Sequence, residues 1–516
     1  MTTRRAILAG AAALGASLPL VRTRAATVMP VNGGTLRVSV DQAAGVLNPL
    51  LTRVNPEYLV SELLYSGLTR LRPDMTAEPD LAESWSADPD LTTWTFKLRS
   101  GLLFHDGSPC TSRDVEASFH TMLDPKTGSA ARSNCGPIKD VIAADTTTVV
   151  FHLTGAYADL PVALAYTNAK IIPASIASGD MSVLARSANG TGPFKLVSFE
   201  PERQIVVERN PHYWDPSRPH VDRVEVLVYP DPTAEASALI AGDIDLIASV
   251  QPQQFGRLRT ADGVTALRVP SGQFLNVNMA CDAKPFDDMR VRQALALTVD
   301  RQAMVGFVAQ GYGTPGNDTP LSPAYHFYRD LPLKGRNIPA ARKLLAEAGY
   351  PNGIDLTLIA STDPGTRTQL AVAMREMAKE ARFRITVQTM PHATYLAQVW
   401  KKGNFYVGFY NMQATADAIF SLLYTSSAAW PETRWNNTKF DALIAKARVT
   451  TDEAQRKDLY GQAQMLMNQE VPSVIPVFFD LLAARRSYVE GYALHPRGAV
   501  FLLDQIWLGA KAPRRG

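Results

Sequence analysis

Cysteine is scarce in this chain, with three residues among 516. That count excludes a disulfide-stapled scaffold. None of Cys110, Cys135 and Cys281 sits in a CxxC pair or beside a histidine at metal-ligand spacing. Cys110 and Cys135 could bridge in an oxidising compartment; three separate thiols is the other reading. The eight histidines are scattered, with no i, i+4 pair. There is no GxxxxGK[ST] phosphate loop, no HExxH zinc helix, no GxSxG elbow and no Ser-x-x-Lys pair. Catalysis therefore has no local motif, and no metal or cofactor is proposed. Beyond the first 25 residues no apolar run approaches the ~20 residues that a membrane helix needs. Excess charge is missing too. The formal net charge of +3 falls to −1 once the four arginines of residues 1–25 are set aside. A near-neutral body lacks the basic face that nucleic acid requires.

What remains is an ordinary globular composition, 46% apolar and 20% charged, long enough for roughly three structural units. Residues 1–25 read as an export signal. Arg4-Arg5 precede an uncharged small and apolar run from Ala6 to Val21, and Ala25-Ala26 offer a cleavage site. Thr3-Arg4-Arg5-Ala6-Ile7-Leu8 resembles a twin-arginine address. With no cysteine near that site, the expectation is a soluble, exported, periplasmic protein.

The rest of the chain has mixed α/β texture. Period-two alternation predicts strands over Thr35–Val40, Trp94–Leu98, Thr147–Leu153, Phe194–Phe199, Gln204–Glu208 and Val224–Val228. Further strands are expected at Ile354–Ile359, Arg384–Thr389, Phe405–Tyr410 and Ile475–Phe479. Helices are expected at Tyr58–Leu68, from Thr111 as N-cap with Asp114 closing a capping box, and at Thr233–Ala241, Val291–Gln310, Pro339–Ala348, Thr366–Ala381, Asp417–Leu423, Thr438–Arg448 and Glu453–Asn468. No fixed-period repeat and no Pro/Gly/Ser linker occurs, so the units are expected to be discontinuous in sequence.

Four ordered groups of residues carry a resemblance. The first is Leu81-Ala-Glu-Ser-Trp85, Trp94-Thr-Phe-Lys-Leu-Arg99, Phe104-His-Asp-Gly107 and Asp114-Val115. The second is Gly190-Thr-Gly-Pro-Phe194 with Glu208-Arg-Asn-Pro-His-Tyr-Trp214. The third is Gly242-Asp-Ile-Asp245. The fourth is Asn276-Val-Asn278, Pro285-Phe-Asp-Asp288, Val291-Arg-Gln-Ala-Leu295 and Asp300-Arg301. In this order they resemble the extracellular solute-binding proteins of family 5, the dipeptide/oligopeptide-type binding components of ABC importers, over about residues 34–480. Read by themselves the motifs are mostly scaffold. Gly190 and Gly192, for instance, read as turn residues that need φ > 0.

The resemblance implies an α/β fold of two lobes, a type II-like periplasmic-binding-protein fold with an additional subdomain on the first lobe and crossover strands between lobes. Mapped here, lobe one is 30–75, 185–272 and 480–516, the extra subdomain 76–184, and lobe two 273–479. It implies a monomer that closes on a peptide or other small ligand and delivers it to permease subunits and their ATPases. In peptide-binding relatives an Asp pairs with the ligand's α-ammonium; Gln413 falls at that position, and a neutral amide cannot pair with an ammonium. Asp417, four residues on, either substitutes for it or caps the following helix. Asn55, Tyr58, Ala248, Ser249, Gln273, Phe274, Tyr410, Asn411 and Trp430 complete the implied ligand-binding set. The Gln413 departure keeps open a non-peptide ligand: a metal chelate, haem, or an opine- or sugar-like compound. An exported hydrolase is a rival without a motif, and a chaperone-like or sensor role is another.

Overall fold

The computed structural model describes residues 29–513. The export signal expected at residues 1–25 lies outside them.

One large mixed sheet of eleven strands runs through the molecule. At one end, Thr35–Val40 pairs in parallel with Arg223–Val228 and Leu246–Ile247, and the antiparallel strands Gln204–Arg209 and Phe194–Glu200 extend that edge. At the other end, Ile354–Ser361 and Phe383–Met390 are parallel over eight residue pairs, with Phe405–Tyr410 beside them. Two long antiparallel strands, Val264–Met279 and Ser473–Arg486, join the ends. The Arg485 end of one pairs with Leu246, while Phe274–Met279 of the other pairs with Phe405–Tyr410. Each end carries its own helices and its own buried core. The molecule is therefore two lobes connected by crossover strands.

The ladder between the crossover strands breaks between Pro270 and Gln273. Pro270 has no N–H to give. At Gly272 a side chain would collide with Tyr325 and Met412, its Cβ lying 2.5 Å from the Tyr325 ring. This interruption hid the strand from period-two reading. Val291–Gln310, read as one helix, is two: Met289–Ala296 and Arg301–Val308. The second starts afresh at Asp300, whose carboxylate accepts from the Ala303 amide at 2.9 Å, an N-cap in the interior of an apolar pattern. The helix expected at Tyr58–Leu68 spans Asn55–Leu64.

Against the first lobe lies a separate antiparallel sheet, Ala82–Ala87, Thr93–Leu98, Thr148–Leu153 and Ile138–Asp145 in spatial order. Helix Ser112–Leu123 covers it and opens with the expected capping box of Thr111 and Asp114. Phe119, Phe151 and Phe96 meet edge-on at 5.0 and 5.3 Å and fix helix to sheet. The family-like motifs tie these layers together. Trp214 Nε1 donates to Asp80 at 3.0 Å, and Arg99 stacks on the Trp214 ring at 3.9 Å. Gly190 and Gly192 do not adopt left-handed φ, contrary to the turn reading. They are glycine because added Cβ atoms would lie 2.0 Å from the Leu64 carbonyl oxygen and 2.4 Å from its carbon. Cys110, Cys135 and Cys281 are all free thiols.

Candidate functional site

The strand Phe405–Tyr410 ends at the seam between the lobes. The chain then turns through Asn411–Thr415 into helix Ala416–Leu423. Thr415 caps that helix, its hydroxyl accepting from the Ala418 amide at 3.0 Å. Asp417 is thus released from the capping role weighed for it. It is buried and pairs with Arg448 at 3.1 Å. Burial pushes its carboxyl up, and the Arg448 guanidinium opposes the rise.

Gln413, Thr415, Asp417, Ser421 and Arg448 form one wall of a cavity of about 270 Å³. Its other wall comes from the first lobe's added layer and includes Asn134, Tyr157 and Tyr166. The Gln413 amide donates to the Tyr325 hydroxyl at 3.0 Å, which fixes the turn. Asp417 and Arg448 are the only charged side chains on this cavity, and they neutralise each other. A second cavity of about 260 Å³ flanks the same turn, between Trp85, Asp159, Tyr325, Thr415 and Arg456.

Three consecutive first-lobe residues close the seam. Tyr157 lines the first cavity together with Thr415. The Ala158 amide donates to the Arg448 carbonyl at 2.9 Å. Asp159 pairs with Arg456 at 2.6 Å, both nine-tenths buried. Although burial disfavours its charge, Asp159 holds Arg456 protonated above the usual guanidinium range.

Beside the turn stands an aromatic wall. Tyr410 and Phe274 face each other across neighbouring strands with rings 5.7 Å apart. Trp430 lies 6.1 Å from Tyr410 and 5.3 Å from Trp400. Beneath them is a polar pocket of the core. Asn276 donates to Asn278, and Asn278 to Glu432 at 2.7 Å. Burial pushes the Glu432 carboxyl up to about 7. Gln273 Nε2 donates to Asn411 Oδ1 at 2.7 Å. Of the residues singled out from sequence, Gln413 and Asp417 line the first cavity. Tyr410, Asn411, Gln273, Phe274 and Trp430 cluster next to it. Asn55, Tyr58, Ala248 and Ser249 lie in the first lobe and line neither cavity. Sequence reasoning passed over Tyr157, Asp159, Tyr166, Arg448 and Arg456, which sit in no shared motif and meet only across the seam.

Among the described residues, no three His, Cys, Asp or Glu side chains stand together as a metal site. No helix among them is long and apolar enough to cross a membrane. The model of the bacterial extracellular solute-binding proteins, family 5 (middle part), matches residues 76–431. The chain belongs to that family. As a family 5 member it is a solute-binding component of an ABC importer, from a group of extracellular or periplasmic proteins. It is 28% identical over 474 residues to the glutathione-binding protein GsiB of Shigella dysenteriae serotype 1, which covers 89% of this chain and 92% of that protein. Among solved structures, it resembles the periplasmic binding protein AgaA of A. tumefaciens R10 in complex with agropinic acid. The TM-score is 0.75 at 25% identity, over 92% of this chain and 99% of the other. The ABC transporter substrate-binding protein CtaP of Listeria monocytogenes matches at TM-score 0.82 and 25% identity, over 92% and 99%. These relatives are binding proteins, and the structural neighbours share the fold described above.

Proposed function

We propose that this family 5 receptor captures a peptide or peptide-like solute at the seam between its lobes, in the periplasm, and passes it unchanged to the permease. The observation that carries this reading is the 270 Å³ cavity, walled by one lobe with Gln413 and Asp417 and by the other with Tyr157 and Tyr166. A ligand there touches both lobes at once, so its binding energy favours the closed arrangement over the open one. The similarity to a glutathione-binding protein supports the peptide class. In this reading lobe one comprises 30–75, 185–272 and 480–516, the added subdomain 76–184 and lobe two 273–479. The protein acts as a monomer, and Asn55, Tyr58, Ala248 and Ser249 supply first-lobe contacts once the ligand extends along the seam. No bond in the solute is made or broken.

A second reading, a non-peptide ligand of opine or sugar-acid type, is favoured by one observation. Asp417, the one carboxylate on the cavity, is already paired with Arg448 at 3.1 Å, and by the family resemblance Gln413 falls where peptide-binding relatives carry an Asp. Calorimetry with glutathione, a dipeptide series and opine- and sugar-type acids separates the two. Gln413→Ala and Tyr410→Ala are expected to weaken whichever ligand binds by about tenfold or more, the worth of one buried hydrogen bond or ring contact, with the fold intact by circular dichroism. Unchanged affinity in both variants would remove the site from this seam.

A further inference from the structure

The pivot between the lobes and the turn that carries Gln413 share one side chain. Along the crossover strand Val264–Met279, the stretch up to Pro270 pairs with residues 480–486, whose far end is fixed to the first lobe at Leu246–Ile247. The stretch from Phe274 onward pairs with Phe405–Tyr410 of the second lobe. Ser271 and Gly272, the two residues in the ladder break, therefore part a length of strand held by one lobe from a length held by the other. Gly272 is packed from the second lobe. Its amide donates to Met412 Sδ at 3.3 Å. A Cβ there would lie 2.5 Å from the Tyr325 ring and 2.7 Å from Met412 Cγ. The chain runs from Met412 directly into Gln413, and the Gln413 amide donates to the Tyr325 hydroxyl at 3.0 Å. Tyr325 thus meets the pivot with its ring and the ligand turn with its hydroxyl.

Tyr325 and Met412 are buried in the second lobe's core with Phe274 and Tyr410. A close-packed interior passes a displacement on instead of absorbing it. We propose that Tyr325 is a positioning residue that couples rotation of the lobes to the ligand turn. As the lobes close about the break, the Gly272 backbone moves against the Tyr325 ring and Met412, and residues 413–415 are carried into their binding geometry. Glycine is needed at 272 because only a bare backbone can approach the ring this closely. The carrier is a contiguous chain of packed groups biased from both ends, by closure at Gly272 and by the solute at Gln413. The coupling is reciprocal, so a solute that fixes the turn also favours the closed arrangement. Tyr325 lines the second cavity and not the first. Its effect on a solute in the first cavity therefore passes through the turn. The inference rests on the receptor reading above and adds to it how the ligand turn is set.

The test compares Tyr325→Phe, Gly272→Ala, Tyr325→Leu and the double variant Gly272→Ala/Tyr325→Leu with the mature wild-type protein. The probe is the tightest binder among glutathione, the dipeptide series and the opine- and sugar-type acids. Calorimetry reads affinity, and small-angle scattering at saturating probe reads the contraction on closure. Tyr325→Phe keeps the ring and loses the hydrogen bond. It is expected to weaken binding about three- to tenfold, with the contraction kept. Gly272→Ala forces the ring aside and is expected to weaken binding about tenfold or more and to reduce the contraction. In the Tyr325→Leu background the alanine finds room beside the flexible Met412. There the same substitution is expected to change affinity by less than about twofold. A purely structural role for Tyr325 would lower the melting temperature and leave affinity and contraction at wild-type values. That result overturns the inference, as does an alanine effect of equal size in both backgrounds; either leaves the receptor standing. A wild-type protein that binds no member of the panel overturns both. Should Gly272→Ala fail to fold, the affinity of Tyr325→Phe decides alone.

Discussion

Glu432 is buried beneath Tyr410, and burial pushes its carboxyl from the usual 4.5 up to about 7. Between those two values the folded protein keeps a proton that the unfolded chain has released. Stability therefore falls as pH rises through that window, and the penalty is complete above about pH 7. The difference between the two values is worth at most about 3 kcal/mol. Glu432→Gln removes the titration. Its stability relative to wild type, from urea unfolding, is expected to climb between pH 4.5 and 7 and then level off; a difference that stays flat with pH removes Glu432 as the titrating group. The residue was invisible as a special group in the sequence, where Trp430-Pro431-Glu432 reads as an ordinary loop. Gln413 was the opposite case. Its position and neutrality were legible, because a resemblance supplied the expectation that it breaks.

At the scale of elements, Ala158-Asp159 forms a clasp from the first lobe onto two helices of the second, Thr438–Arg448 and Glu453–Glu470. Removing one partner of a buried pair leaves the other charge uncompensated, which costs about 3–5 kcal/mol. Here that cost falls on the closed arrangement, since opening the lobes returns both groups to water. Asp159→Asn and Arg456→Gln are each expected to speed ligand release by about tenfold or more, with little change in association. In a double-mutant cycle their effects should couple by at least about 1 kcal/mol; additive effects would mean that the pair does not span the closure. Most helices and strands were legible because capping and periodicity act locally: Thr111 with Asp114, the Phe405–Tyr410 strand, and Thr438–Arg448 all stand as read. The break at Asp300 and the crossover strand through Pro270 and Gly272 were not. In the first, an apolar pattern continued across an N-cap; in the second, an irregular backbone interrupted the pattern.

At the scale of the whole molecule, two crossover strands with a ladder break at Pro270–Gln273 connect lobes that have separate cores. Such a connection lets the lobes rotate while each core stays packed. Ligand addition is expected to reduce the radius of gyration in small-angle scattering without changing far-UV circular dichroism. A ligand that binds with no contraction would mean that the unliganded protein is already closed in solution.

The sequence by itself determined the family, the α/β texture and the absence of a catalytic motif, since each of these is written in local pattern or in the order of short motifs. Only the tertiary structure decided what stands opposite Gln413. Tyr157, Asp159 and Tyr166 lie about 250 positions before it, and nothing in their neighbourhoods marks them. Charge pairing across a seam depends on distance in space, and in this fold the chain crosses between lobes before those distances are set.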